Sequence, residues 1–444
     1  MAQVARIDVE TRAQTVSNTL SAEQAEQIAD AFGWQGIWFA EQLDGDADTR
    51  RPDTTWDLVG DRPHAGVTAK GRAAVHLAEG HDRLTRPLIL ADGFGYGPSD
   101  LDALWRHLNT PYRDGEPGFL DQLLSMGIDV VLLGFAQRHT YLQANAAVAI
   151  SCVQRAVGER DGDDPLTVGG IGMGGLITRY ALAVMEADGL DHRTDKYFSY
   201  DTPHLGAWIP LVLQQLAHLH EALQPPEGGE PGPAALLRSP AAQQLLWGWV
   251  ESADFSGPVA ANPLREEFLD DLRRVGWFPI RPYKLGLASG LGTGVGTDLA
   301  PGTPVYDLQS ADLQLTARVQ PDGGERQNLG TIRLGPPVWT SLTSHVAAFD
   351  GAPGGTLDTW GRVADAMGLP IPERLRSSCF VPTVSAIALT RDPYQWQPDL
   401  YKDLRDLPKD ETLLDAFCCD IANRRHCAVS QPLIEWFVGQ LAGW

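Results

Sequence analysis

Lysine is scarce in this chain. It supplies 5 of the 35 basic residues, which face 57 Asp and Glu and leave a net charge of −22. A surface this acidic repels phosphate backbones and anionic lipid headgroups, so no nucleic-acid partner is expected. Cysteine is sparse too. Cys152, Cys379, Cys418, Cys419 and Cys427 are odd in number, two are adjacent, and none has paired CxxC zinc spacing. Reduced thiols in a cytoplasmic protein with no metal are therefore expected; a Cys379–Cys418 or Cys379–Cys427 bridge stays open for a secreted one. Long apolar runs are missing. Stretches such as Val130–Leu133 fall far short of the ~18 residues that cross a bilayer, so no transmembrane segment is expected. Met1–Asp30 has no basic stretch followed by an apolar run, which argues against a Sec-type signal peptide. There is no internal repeat.

What is present is a chain of 444 residues, 43% hydrophobic and 21% charged, enough for a large core with insertions or for two domains. Residues 1–80 read as a polar lead-in packed on the core. Within it Ser21 and Gln24 have capping-box spacing for a helix through Phe32, and a short strand is expected near Gly36–Phe39. From Arg86 the pattern becomes regular. Apolar runs at Arg86–Ala91, Ile128–Leu133, Leu166–Ile171 and Lys196–Tyr200 alternate with helical patterns at Leu101–Leu108, Tyr141–Val157 and Leu176–Glu186. Strand, helix, strand with short loops predicts an α/β fold with a doubly wound, mostly parallel sheet. The core is expected at 81–205 and 281–444. Residues 206–280, largely helical in pattern, form an inserted cap; 304–334, alternating apolar and polar, form a β-hairpin or meander insert. Tyr283–Ala288 and Phe380–Leu389 read as further strands, and Ser430 caps a final helix at Pro432–Leu441.

The segment Val168-Gly-Gly-Ile-Gly-Met-Gly-Gly-Leu-Ile-Thr-Arg-Tyr180 lies at a strand-to-helix turn, with Gly170 and Gly174 two residues either side of Gly172. Only small residues fit where strand and helix approach so closely, as in a nucleophile elbow. The segment resembles the Gly-x-Ser-Met-Gly-Gly-Leu elbow of the α/β-hydrolase superfamily, on its lipase/esterase side, with Gly172 in place of the serine. Leu90-Ala-Asp-Gly-Phe-Gly95 resembles the lipase His-Gly-Phe-Gly turn, with Asp92 where His is usual. Asp201-Thr-Pro-His-Leu-Gly206 resembles the Thr-Pro-His-x-Gly turn after a core strand, and Asn423-Arg-Arg-His426 lies where the general-base His sits. The resemblance covers roughly 85–205 and 280–444. It implies backbone N–H donors to an oxyanion at Phe94 and Met173, a base at His426, and a substrate pocket with Gly93, Asp201, His204 and Trp208. It implies neither cofactor nor metal. The alternatives are a phosphate-binding Gly-rich turn, which the GxGxGG spacing fits poorly, an ordinary surface role for His426, and a purely structural one for His204.

The acid is open. Chain order asks for a carboxylate between elbow and His426. Asp392, after the Phe380–Leu389 run, is the first choice, Asp350 the second and Asp415 the third. Ser378 stands where related lipases carry the aspartate before a Val-Pro pair. Gly172 itself offers no attacking oxygen, and no Ser or Cys lies within four residues of it. Two functions follow. One is an ester hydrolase or acyl transferase acting on an apolar carboxylic ester, lactone or acyl substrate, with its nucleophile absent by engineering or natural loss. The other is a non-hydrolytic protein that binds a ligand or uses His426 in acid–base lyase or cyclase chemistry. Little turnover of p-nitrophenyl esters is expected, with gain on Gly172→Ser. The oligomeric state is not legible.

Overall fold

The computed structural model describes residues 21–31, 38–113, 115–226, 228–391 and 399–442. Seven strands come first: β1 (Thr54–Val59), β2 (Lys70–His76), β3 (Pro87–Ala91), β4 (Asp129–Phe135), β5 (Leu166–Ile171), β6 (Thr194–Tyr200) and β7 (Tyr283–Leu291). Then β8 (Pro304–Gln309), β9 (Gln314–Arg318), β10 (Gln327–Arg333) and β11 (Pro337–Thr343) form an antiparallel sheet of their own. β12 (Gly354–Leu357) and β13 (Ser378–Pro382) pair with each other, and β14 (Ala416–Asp420) returns to the central sheet. That sheet runs β1-β2-β4-β3-β5-β6-β7-β14, and only β2 opposes the rest. This is the doubly wound, mostly parallel α/β architecture expected from the strand–helix pattern.

Alternation along the strands divides the core. Ile89 and Ala91 of β3 join Val131 and Leu133 of β4 in one cluster; Leu88 and Leu90 join Val130 and Leu132 in the other. The helices follow: α1 (Ala22–Ala31), α2 (Leu101–Leu108), α3 (Phe119–Ser125), α4 (Leu142–Glu159), α5 (Met173–Ala187), α6 (Leu211–Leu223), α7 (Pro240–Leu245), α8 (Pro263–Arg274), α9 (Thr359–Ala366), α10 (Thr383–Ala386) and α11 (Gln431–Ala442). α4 and α5 bury their apolar sides in the first cluster, and α2, α3 and α11 in the second. The Ser21 and Gln24 side chains bond each other's backbone N–H at 3.1 and 3.0 Å, a reciprocal capping box on α1.

Several elements differ from the sequence pattern. The lead-in contributes β1 and β2 to the central sheet. Trp56 of β1 is buried with Arg155 of α4 over its ring at 5.0 Å. Trp38 and Phe39 lie in a bend rather than a strand. The apolar–polar alternation expected as a hairpin or meander over 304–334 runs on to Thr343 as four strands. The Phe380–Leu389 run is divided: Pro382 closes β13, and Thr383–Ala386 turns into α10. All five cysteines are free thiols. Among the described residues no helix is long and apolar enough to cross a membrane, and no group of three His, Cys, Asp or Glu is placed to hold a metal ion.

Candidate active site

β5 ends at Ile171 and α5 begins at Met173, leaving Gly172 alone at the turn with φ 48° and ψ −123°. An L side chain is strained there and glycine is not. The flanking glycines are required by contact. A Cβ on Gly170 would stand 2.5 Å from the Gly174 carbonyl carbon, and one on Gly174 would overlap the Ala91 carbonyl oxygen. The Gly172 N–H is fixed on Tyr200 O at 2.8 Å.

His426 arrives from the other end of the chain. The loop between β14 and α11 carries it, and its N–H donates to Thr356 O at 2.8 Å. The ring is buried. Its Nε2 lies 2.7 Å from the position a Cβ on Gly172 would take, so the structure brings elbow and histidine together. Phe380 packs edge-on against the imidazole, centroids 5.0 Å apart, and Phe94 stacks on Phe380.

The carboxylate on Nδ1 is Asp201, at 2.7 Å. This residue sits just past β6 with φ 51°, and its other oxygen accepts the Ser289 N–H at 2.9 Å. Gly355 makes room: a Cβ there would overlap Asp201 Oδ2 and stand 3.2 Å from His426 Cα. The order elbow, acid, histidine is kept, but the acid follows β6 instead of the Phe380–Leu389 run. Asp350 is engaged elsewhere. Its two oxygens accept Trp208 Nε1–H and Gln320 N–H, both at 2.7 Å, and burial pushes its carboxyl up to about 6. Asp415 pairs with Lys284 at 2.7 Å, and Asp392 lies outside the described residues. Ser378 bonds Thr359.

The remaining expected site residues divide. Gly93 faces the elbow and donates its N–H to Asp92 Oδ1 at 2.8 Å. Burial raises the Asp92 carboxyl against the pull of Arg138, 3.5 Å away. The N–H groups of Phe94 and Met173 donate to no described residue. His204 turns inward to Ser199 Oγ at 3.0 Å and Arg179 at 3.3 Å; burial, then Arg179, holds it well below the usual imidazole range. Trp208 stacks on Phe349, centroids 4.3 Å apart, with its N–H on Asp350. Both are buried among packed side chains.

One residue enters the site without any sequence signal. Glu41 reaches in from the segment after the bend at Trp38–Phe39, and its Oε1 lies 2.9 Å from His426 Nε2. A Cβ on Gly172 would overlap Oε1, and one on Gly93 would overlap Oε2. The segment is tied down over its length. Glu41 N–H donates to Phe94 O at 3.3 Å, Arg362 donates to the carbonyls of Trp38 and Ala40, Arg425 pairs with Asp44, and the His107 ring meets Asp44 O at 3.1 Å. Nothing in Ala40-Glu-Gln-Leu43 distinguishes Glu41 from a surface glutamate. Cys427 also touches the histidine, with Sγ 3.4 Å from Nε2 and 3.4 Å from Tyr200 O.

These neighbours set the charge of the ring. Burial works against the imidazolium, but the Cys427 sulfur, the Glu41 carboxylate and the Asp201 hydrogen bond outweigh it and raise His426 well above its usual value. Burial pushes the Cys427 thiol up to about 12, against the pull of the His426 ring. The result is a ring drawn toward its protonated form between Asp201 and Glu41, beside a turn with no side chain. Such a pair can donate a proton to a leaving group and take one back from water.

No family model matches the chain, and no curated protein matches it. Among solved structures it is similar to the Bacillus licheniformis lipase BlEst2 in mature form, at 15% identity and TM-score 0.29, over 53% of this chain and 72% of that one. It is also similar to the esterase Est1E from Butyrivibrio proteoclasticus, at 14% identity and TM-score 0.23, over 33% and 51% of the two chains. A hyperthermophilic esterase from the archaeon Pyrobaculum calidifontis matches at 12% identity and TM-score 0.27, over 63% and 83%.

Proposed function

We propose that this chain is an ester hydrolase or acyl transferase of the α/β-hydrolase type. His426 and Asp201 form its proton-transfer pair, Phe94 and Met173 supply N–H donors to the oxyanion, and no hydroxyl stands at the elbow. One observation carries the reading: a buried histidine whose Nε2 lies 2.7 Å from the Cβ position of a positive-φ glycine between strand and helix, with an aspartate on its other nitrogen. The Phe94 and Phe380 rings beside the imidazole suit an apolar acyl group.

A serine at 172 needs the volume that Glu41 fills, so the test restores the first and removes the second. Gly172→Ser with Glu41→Ala is expected to hydrolyse p-nitrophenyl esters and to be labelled by a fluorophosphonate. Adding His426→Ala abolishes both. A folded double variant that resists the probe and cleaves no ester of any chain length overturns the reading in favour of a non-hydrolytic protein.

A further inference from the structure

We infer that Glu41 is the nucleophile that Gly172 does not provide: its Oε1 attacks the acyl carbon of the substrate, and His426 gives the leaving group its proton. The inference rests on the ester-hydrolase reading above and deepens it. Oε1 is 2.9 Å from the histidine nitrogen that faces the elbow. It also lies in the volume a side chain on Gly172 would claim, since a Cβ built there overlaps it. The oxygen therefore holds the place from which a serine hydroxyl at this turn would attack. The Phe94 and Met173 N–H groups donate to no described residue, so Glu41 leaves them open to a substrate carbonyl oxygen.

The carboxylate is fixed there from several sides. Its side chain is 4% exposed, its own N–H is bonded to Phe94 O, and Arg362 and Arg425 hold the flanking backbone and Asp44. Two other buried groups are less suited. Cys427 Sγ donates to Tyr200 O as well as meeting Nε2, and its thiol stays protonated. Asp92 is held by the Gly93 N–H and Arg138.

The chemistry balances without a co-reactant beyond water. The Glu41 Oε1–acyl bond forms as the bond from acyl carbon to leaving oxygen breaks. The departing alkoxide or phenolate takes the Nε2 proton of the imidazolium, leaving a neutral ring and an acyl-glutamyl anhydride. The neutral ring then deprotonates water, which attacks the acyl carbon. The carboxylic acid departs, Glu41 returns as carboxylate and His426 as imidazolium.

The experiment traps the anhydride on the unmodified protein. Rapid mixing with p-nitrophenyl butyrate, an acid quench and borohydride reduction should convert Glu41 to the alcohol only when substrate is present, as read by peptide mass spectrometry. Glu41→Gln should lower kcat on the same ester by about 10³-fold or more, with Glu41→Asp retaining a measurable part. Absence of substrate-dependent reduction at Glu41, or a Glu41→Gln protein as fast as the parent, overturns the inference. If trapping fails while Gly172→Ser with Glu41→Ala reacts with the fluorophosphonate, the ester-hydrolase reading stands and the role of Glu41 falls. If both fail, both fall. The trapping arm needs no variant to fold.

Discussion

Consider Gly172→Ser on its own. The backbone there has φ 48°, and an L residue in that region costs about 1–2 kcal/mol. The new Cβ overlaps Glu41 Oε1 and lies 2.7 Å from His426 Nε2. The imidazole is held on its far side by Asp201, so Glu41 is the group that must leave. Its charge-assisted hydrogen bond to the ring, worth about 1.5–3 kcal/mol, goes with it. Together the single substitution should destabilise the fold by about 2.5–5 kcal/mol. In the Glu41→Ala background that bond is already gone, so the double variant should be no less stable than Gly172→Ser alone. The two single costs then fail to add, by about 1.5–3 kcal/mol. Urea unfolding followed by circular dichroism measures all three. Gly66→Ser is the control: φ is 81° and nothing lies within 4 Å of its Cβ position, so it should cost only the backbone strain. A Gly172→Ser protein within about 0.5 kcal/mol of the parent, or single costs that simply sum, would refute the placement of Glu41 against the elbow.

The His426 ring should keep its proton through neutral pH and lose it earlier in Asp201→Asn and in Glu41→Gln, which nitrogen-resolved NMR titration can follow. Because the folded value lies above the unfolded value of about 6.5, this pair's contribution to stability is complete below that pH and is lost as pH rises through the folded value; a ring that titrates at or below 6.5 contradicts it. Asp350 acts with the same sign at lower pH. Its carboxyl is raised to about 6, so between about pH 4 and 6 the folded protein holds a proton that the unfolded chain releases, and stability falls as pH rises through that window. Unfolding midpoints of the parent and Asp350→Asn across the window test this, the variant being expected to lack that slope. Gly355→Ala should displace Asp201 or His426 and cost about 1–3 kcal/mol, with loss of whatever ester turnover the parent shows; an unaffected Gly355→Ala protein would mean that the Asp201–His426 approach is looser than 2.7 Å.

Local sequence determined those features whose physics is local. The GxGxGG run can only be a close strand–helix turn, and Gly172 sits in one with positive φ. Apolar runs bounded by turns marked β3, β4, β5 and β6 within a residue or two, because strands buried on both faces need no partner pattern to be recognised. Ser21 and Gln24 announced their helix start by spacing alone. β14 was not legible, because half-buried Ala-Phe-Cys-Cys-Asp is apolar in too short a run to separate from a loop, and only pairing with β7 makes it a strand. Proximity across hundreds of residues belongs to the tertiary structure. Asp201 read as a residue of a turn after a strand; sheet order sets β6 between β5 and β7, and that aims its carboxylate at a histidine 225 positions away. Glu41 is further still, 385 positions from His426, and lies in a polar segment with no periodicity or motif. What singles it out is the empty volume that a glycine leaves at the elbow, and a missing side chain becomes visible only when another residue is seen filling its place.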